Sequence, residues 1–179
     1  ALANGIQVGV YFYSGASNAR EAYDEASYCI SLIRDYQITY PVAFDWELDG
    51  DYDSVTEACE TFCNVISSYG YQPMVYSNRN RWYNNFDGEK IASKYKVWMA
   101  AYFGKFYYDS VRWTYGDDLP NFRYHYDMWQ YSSRCYVDGI SGQVDVDIAF
   151  FGYANYHVDT KDAVLTVTNK EIKRTYGDG

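Results

Sequence analysis

The chain has 179 residues, 48% of them apolar, which is enough material for one packed core and short for two full domains. Its net charge of −9 argues against nucleic acid or an anionic membrane surface as partner, and no apolar run approaches the roughly 18–20 residues that span a bilayer. The residue in excess is Tyr, with 23 copies beside 5 Trp and 9 Phe; its flat face and polar tip suit sugar stacking as well as an aromatic-rich core.

The opening ALANGIQVG reads as the tail of a helix, stopped by Asn4-Gly5 and running into a strand. It has neither the basic nor the long apolar part of a signal peptide, so the chain is expected to begin partway into a fold. VGVYFYS (8–14) is the first predicted strand. A helix follows over 18–35, with Asn18 as its cap and Ala19, Ala22, Ala26, Cys29, Ile30 and Ile33 on one face. YPVAFDWE (40–47) is the second strand. The next helix, 54–69, opens on Ser54-x-x-Glu57, the pattern of a capping box, and stops at Gly70. YQPMVYSN (71–78) and YKVWMAAY (95–102) are the third and fourth strands, with a short helix near 88–94 between them. The stretch 105–124 reads as a long loop with at most a short helix. YDMWQYSS (126–133) and VDVDIAFF (144–151) complete the set.

These runs are β-branched, aromatic and nearly continuously apolar, as strands buried on both faces are. Strand–helix–strand repetition predicts parallel βαβ units. An open doubly wound sheet would carry a Gly-rich phosphate loop after a strand, and none is present. Instead, polar and aromatic residues recur at the C-terminal strand ends: Tyr13-Ser14, Asp45-Trp46-Glu47, Tyr76-Ser77-Asn78, Tyr102 and Gln130-Tyr131-Ser132. A (β/α) barrel keeps its active site there. The predicted class is therefore α/β, a TIM-like (β/α) barrel of parallel strands, with about six of the eight strands in this chain. The domain is expected over 1–155. The polar segment 156–179 is expected to be a linker or the start of a following β-domain, with a terminal strand packed on the barrel as the alternative.

Cys59 and Cys63 are i and i+4 on a predicted helix, Cys29 lies on another, and Cys135 falls in a predicted loop. With no C-x-x-C and only His125 and His157, no zinc site is indicated and no cofactor is implied. Buried free thiols are the expected state, and a single disulfide is the alternative.

Asp45 and Glu47 end the second strand. Residues i and i+2 of a strand share a side, with Cα atoms about 6–7 Å apart, so the two acids project together while Trp46 points into the helix layer. Their mutual repulsion should raise one pKa and leave a protonated acid near neutral pH. A protonated carboxyl beside an ionised one is the equipment of glycoside hydrolysis. The plainer alternative is that both acids pair with Arg or Lys across the barrel mouth. Asp145-Val146-Asp147 alternates in the same way and would set a carboxylate across the mouth from Glu47; solvated acids capping the last strand are the alternative. Asp24, Glu25, Asp51, Asp53, Asp117 and Asp118 look like helix faces and loops, with no role in a site.

FDWE after an apolar run, GYQPMVYSN, VWMAAY and MWQYSS…VDGISGQVDVD, in this order, closely resemble the family-25 glycoside hydrolases from about residue 5 to 153. These are muramidase-type lysozymes of bacteria and their phages, which cleave the β-1,4 bond between N-acetylmuramic acid and N-acetylglucosamine in peptidoglycan. The resemblance implies a secreted, bacteriolytic enzyme, extracellular or associated with the cell wall, with peptidoglycan as its partner and no cofactor. It gives Glu47 the place of the general acid, Asp45 that of its partner carboxylate, and Asp145 that of the aspartate in the last strand's G-x-V-D motif. Asp147 stands where an Asn is common, and Tyr13, Tyr76, Tyr102 and Trp129 match aromatic positions lining the groove. The family's usual first strand, with an Asp in a D-x-S-x-x-Q-G motif, has no counterpart here. A separate segment or chain is accordingly expected to complete the barrel, since an open barrel exposes sheet edges. The tail weakly resembles Ig-like repeats of Gram-positive surface proteins. Two other functions fit parts of the pattern. A chitinase-like barrel would favour a D-x-x-D-x-D-x-E run, which is absent, and a sugar-binding relative would keep the aromatic groove without the chemistry.

Overall fold

The computed structural model describes residues 1–109, 111–114 and 116–151. The segment 156–179, expected to be a linker or β-domain, and the predicted domain end at 155 lie outside the described residues. The chain enters through a single 3-10 turn, Leu2–Asn4, closed by Gly5 at φ 70°, a left-handed conformation that Gly adopts without strain.

The strands are β1 (Val10–Tyr13), β2 (Val42–Asp45), β3 (Pro73–Asn78), β4 (Lys96–Ala100), β5 (Met128–Cys135) and β6 (Val144–Ala149). The helices are α1 (Ala19–Ile33), α2 (Tyr52–Ser68), and the short α3 (Arg79–Asn84), α4 (Gly88–Ala92) and α5 (Gly104–Tyr108). The strands lie side by side in chain order, and β1 through β5 run parallel as βαβ units require. The last strand departs from the expected all-parallel ring: β6 is antiparallel to β5. Residues 136–143 are too few for a crossover, and Gly139 and Gly142, at φ 88° and 93°, turn the chain straight back.

Strand alternation sorts the side chains into two sets. Val42, Phe44 and Trp46 from β2 and its exit, Val75 from β3, Val97 and Met99 from β4, and Trp129, Tyr131 and Cys135 from β5 face the helices. There they meet Ala22, Ala26, Cys29, Ile30 and Ile33 of α1 and Val55, Ala58, Cys59, Phe62, Cys63 and Ile66 of α2. Trp46 thus lies in the helix layer, 1% exposed. The other set faces inward, and the register aligns Tyr13, Asp45, Tyr76 and Trp98 in one row across β1 to β4. The sheet curls around that face: Tyr11 of β1 meets Trp98 of β4, ring centroids 6.4 Å apart, although two strands separate them. Tyr40, just before β2, and Phe151, just after β6, bring their ring centroids to 5.2 Å.

α1 starts as expected, with the Asn18 side chain accepting from the Glu21 N–H at 3.0 Å. α2 starts two residues before the expected capping box. Its cap is Asp51, whose Oδ2 accepts from both the N–H and the hydroxyl of Ser54 at 3.0 and 2.8 Å. A carboxylate at this end satisfies an orphan N–H and also meets the positive pole of the helix, so it outcompetes Ser54. The four Cys are buried and form no disulfide among the described residues, and burial pushes Cys29 up to about 11. Cys135 is the last residue of β5 and not part of a loop.

Candidate active site

At the exit of β2 the alternation puts Asp45 inside, Trp46 outside and Glu47 inside, just past the strand end. That exit is tied from several directions. The Trp46 carbonyl accepts from Ser77 Oγ at 2.8 Å, and Arg81 Nε donates to the Leu48 carbonyl at 3.1 Å. No described Lys or Arg forms an ion pair with Asp45 or Glu47, so the alternative of neutralised acids at the mouth is not what the structure contains. Asp45 is 6% exposed, and its Oδ1 has no hydrogen-bond partner among the described residues. Its pKa is raised to about 7, chiefly by burial and further by the charge of Glu47. The carboxyl that keeps a proton towards neutral pH is therefore Asp45.

Two hollows open over this strand exit. One, about 210 Å³, is lined by Tyr11, Tyr13, Asp45, Glu47, Tyr76, Trp98, Gln130 and Asp145. The other, about 340 Å³, is lined by Glu47, Tyr76, Asn78, Arg79, Asn80 and the segment Ala100–Phe103, which includes Tyr102. Glu47 and Tyr76 belong to both and form the ridge between them. Asp45, Glu47 and Asp145 converge on the first hollow. The second is lined by hydrogen-bond donors and one cation, Arg79.

Of the aromatic positions expected in the groove, Tyr13, Tyr76 and Tyr102 line the hollows. Tyr13 stands 56% exposed at the rim. Tyr76 packs edge-on against Trp98 at 4.6 Å and donates its hydroxyl to Gln130 Oε1 at 2.8 Å; Tyr102 donates to the same oxygen. Trp129 is a correction. It is fully buried on the helix side, stacked on Phe103 with its Nε1 donating to the Ala101 carbonyl at 2.9 Å. The reason is phase: β4–β5 pairing sets Trp129 beside Met99, and both point outward, while Gln130 beside Ala100 points in. The inward residues that sequence reasoning passed over are Tyr11 and Trp98, while Gln130 is among the predicted strand-end residues without a role of its own. Counting alternate positions from Asp45 along the paired strands would have found them. Glu25, given no role from sequence, fixes the loop leaving β1: its carboxylate accepts from Ser14 Oγ at 2.5 Å and from the Gly15 N–H at 2.9 Å.

Asp147 lines neither hollow. It lies one inward position deeper along β6 than Asp145, and its Oδ1 accepts from Trp98 Nε1 at 2.7 Å. Its pKa is raised to about 7; burial of the carboxyl dominates, the Trp98 hydrogen bond opposes, and the Asp145 charge adds, although the residue as a whole keeps solvent contact. A carboxyl whose proton affinity is higher in the folded than in the unfolded chain destabilises the fold as pH rises. Asp147→Asn keeps an acceptor for Trp98 without the charge, so its unfolding temperature at pH 8 is expected to exceed that of the parent. Asp147→Leu removes the acceptor and is expected to be less stable than Asp147→Asn by about 0.5–1.5 kcal/mol, both read by thermal denaturation.

Among the described residues no cluster of His, Cys, Asp or Glu is disposed to hold a metal ion, and no helix is long and apolar enough to cross a membrane.

Comparison with known proteins bears on this geometry. The family described as glycosyl hydrolases family 25 matches residues 1–140. The lysozyme of Streptococcus phage Cp-1 is 29% identical over 137 residues, which cover 71% of this chain and 37% of that protein. The CTP1L endolysin superposes with a TM-score of 0.66 at 26% identity, over 83% of this chain and 49% of that one. The modular autolysin LytC from Streptococcus pneumoniae, solved in complex with a synthetic peptidoglycan ligand, superposes with a TM-score of 0.63 at 28% identity, over 82% of this chain and 34% of that one. The chain thus spans about a third to a half of the length of these relatives.

Proposed function

The chain belongs to the glycosyl hydrolases family 25, and from that premise we propose that it cleaves the β-1,4 bond between N-acetylmuramic acid and N-acetylglucosamine in bacterial peptidoglycan. The observation that carries this reading is the place of Glu47 on the ridge between two hollows. A glycosidic bond is cut between two sugars, and the oxygen joining them must receive a proton as it leaves. A carboxyl shared by both hollows is in position to give it.

In this reading Glu47 protonates the leaving oxygen. Asp45, buried beside it and inclined to hold its proton, stays the neutral partner, and the proton that Glu47 gives to the leaving oxygen is returned to Glu47 from the attacking water. Asp145, reaching in from β6, faces the positive charge that develops at the anomeric carbon, and orients the 2-acetamido group or activates water. Tyr13, Tyr76 and Tyr102 supply faces and hydroxyls to the sugars. Asp147 acts through Trp98 and does not touch the sugar. The substrate assignment is supported by the peptidoglycan ligand in the LytC complex. The place of action is then the cell wall, outside the membrane, and residues 1–155 belong to the hydrolytic unit, which a separate segment or chain completes.

Digestion of purified sacculi by the full-length protein tests this. New reducing ends, trapped by borohydride and identified by mass spectrometry, are expected on muramic acid. Reducing ends on glucosamine would assign a different glycosidase. Binding without any release would leave a sugar-binding relative.

A further inference from the structure

Gln130 is 4% exposed and faces the hollow shared with Asp45, Glu47 and Asp145. Its carbonyl oxygen accepts from Tyr76 at 2.8 Å and from Tyr102. An amide oxygen has two lone pairs, so both are occupied. Burial holds both phenols above their ordinary pKa, so they keep their protons and donate. The reverse orientation of the amide would turn its carbonyl oxygen toward a hollow lined by carboxyl oxygens. The N–H donors on Nε2 therefore face the hollow, and no described residue accepts from them. Nε2 is open to the hollow, where an acceptor on a bound ligand can take the place of water.

The surroundings select the ligand atom. Asp45, Glu47 and Asp145 repel an anionic acceptor. Sugar hydroxyls can donate to these carboxylates and need no help from Gln130. An amide carbonyl has no proton to give, so it is met only by a donor. Trp98 and Tyr76 already use theirs on Asp147 and Gln130. Among the buried groups lining this hollow, the donors that remain are the Gln130 amide and, below about pH 7, the proton that Asp45 holds, and only the amide donates at every pH.

We propose that Gln130 Nε2 donates to the acetamido carbonyl oxygen of the sugar in the acid-lined hollow and thereby selects N-acetylated over de-N-acetylated glycan. This rests on reading the site as that of a glycosidase acting on amino sugars, and the test separates the two. A wall tetrasaccharide and its de-N-acetylated counterpart are compared as ligands, by calorimetry, for full-length Glu47→Gln protein with and without Gln130→Met. Turnover of both sugars by the wild-type protein is followed in parallel. Gln130→Met is expected to weaken binding of the N-acetylated sugar about 10–100-fold and that of the free amine by less than about threefold. Equal losses on both ligands would overturn the proposal and leave Gln130 a structural residue. If the binding difference holds while the wild type hydrolyses neither sugar, the glycosidase reading fails and the contact stands. Should Gln130→Met not fold, Tyr102→Phe frees one lone pair on Gln130 and loosens the amide. It is expected to reduce the preference for the N-acetylated ligand, and an unchanged preference would count against the proposal.

Discussion

Replacing Glu47 by Gln is expected to lower kcat on peptidoglycan by about 10²–10⁴-fold, the range a positioned general acid contributes, while KM and the unfolding temperature stay close to those of the parent. Gln has the same shape and still hydrogen-bonds a glycosidic oxygen, but has no acidic proton to transfer. Nothing structural is lost with the charge, because no described cation pairs with Glu47. Relief of repulsion on Asp45 works in the same direction, since the Glu47 charge is one of the two causes of the raised Asp45 pKa. Reducing-end release measured over a range of substrate concentrations separates the two constants. A fall in affinity with kcat preserved would make Glu47 a binding residue and remove it from the chemistry.

Asp45→Asn should trade activity for stability. In the unfolded chain this carboxyl has an ordinary affinity for protons, and in the fold it holds one up to about pH 7. The folded state therefore binds more protons between roughly pH 4 and 7, and stability falls as pH rises through that window, by on the order of a few kcal/mol in all. Asn carries no charge to bury. The variant is expected to match the parent near pH 4, to exceed it at pH 8, and to lose this part of the pH slope in denaturant titrations. Its kcat is expected to fall by about 10²-fold, the lower end for an acid–base group, because Glu47 loses its proton-holding neighbour. The alkaline limb of the parent's activity profile, as Asp45 ionises near pH 7, should flatten with it. Such pairs of outcomes are common where function requires a destabilised group. An Asp45→Asn protein no more stable than the parent at pH 8 would show that the carboxyl is ionised at no cost in the fold.

Much of this was readable from local pattern. Near-continuous apolar runs such as PVAF and the capped 18–35 segment gave β2 and α1 to within two residues at each end, because burial on both faces and an N-terminal cap are written in adjacent positions. The convergence of Asp45 and Glu47 followed from strand alternation alone, as did the burial of Trp46. What was not legible depends on partners far away in the chain. Trp129 and Gln130 are neighbours in an aromatic-rich strand, and only pairing with Met99 and Ala100 decides which faces the groove. Asp147 looked like a groove acid until the fold brought Trp98, 49 residues away, onto its carboxyl. The reversal of β6 needed the length of 136–143 to be weighed against the minimum for a crossover, which alternation along one strand does not contain. The cap of α2 is Asp51 and not Ser54, because two cap-forming side chains lie within one turn of each other and only the fold decides which of them the helix end meets.

The central claim is that residue 47 stands between two bound sugars, and a crystal structure of the full-length Glu47→Gln protein with a wall tetrasaccharide measures it directly. The expected result is a bridging glycosidic oxygen within about 3 Å of the residue 47 amide, one sugar over Tyr13 and Trp98 and the next against Tyr102 and Arg79. A glycan confined to one hollow, or crossing the face with its bridging oxygens away from residue 47, would contradict it.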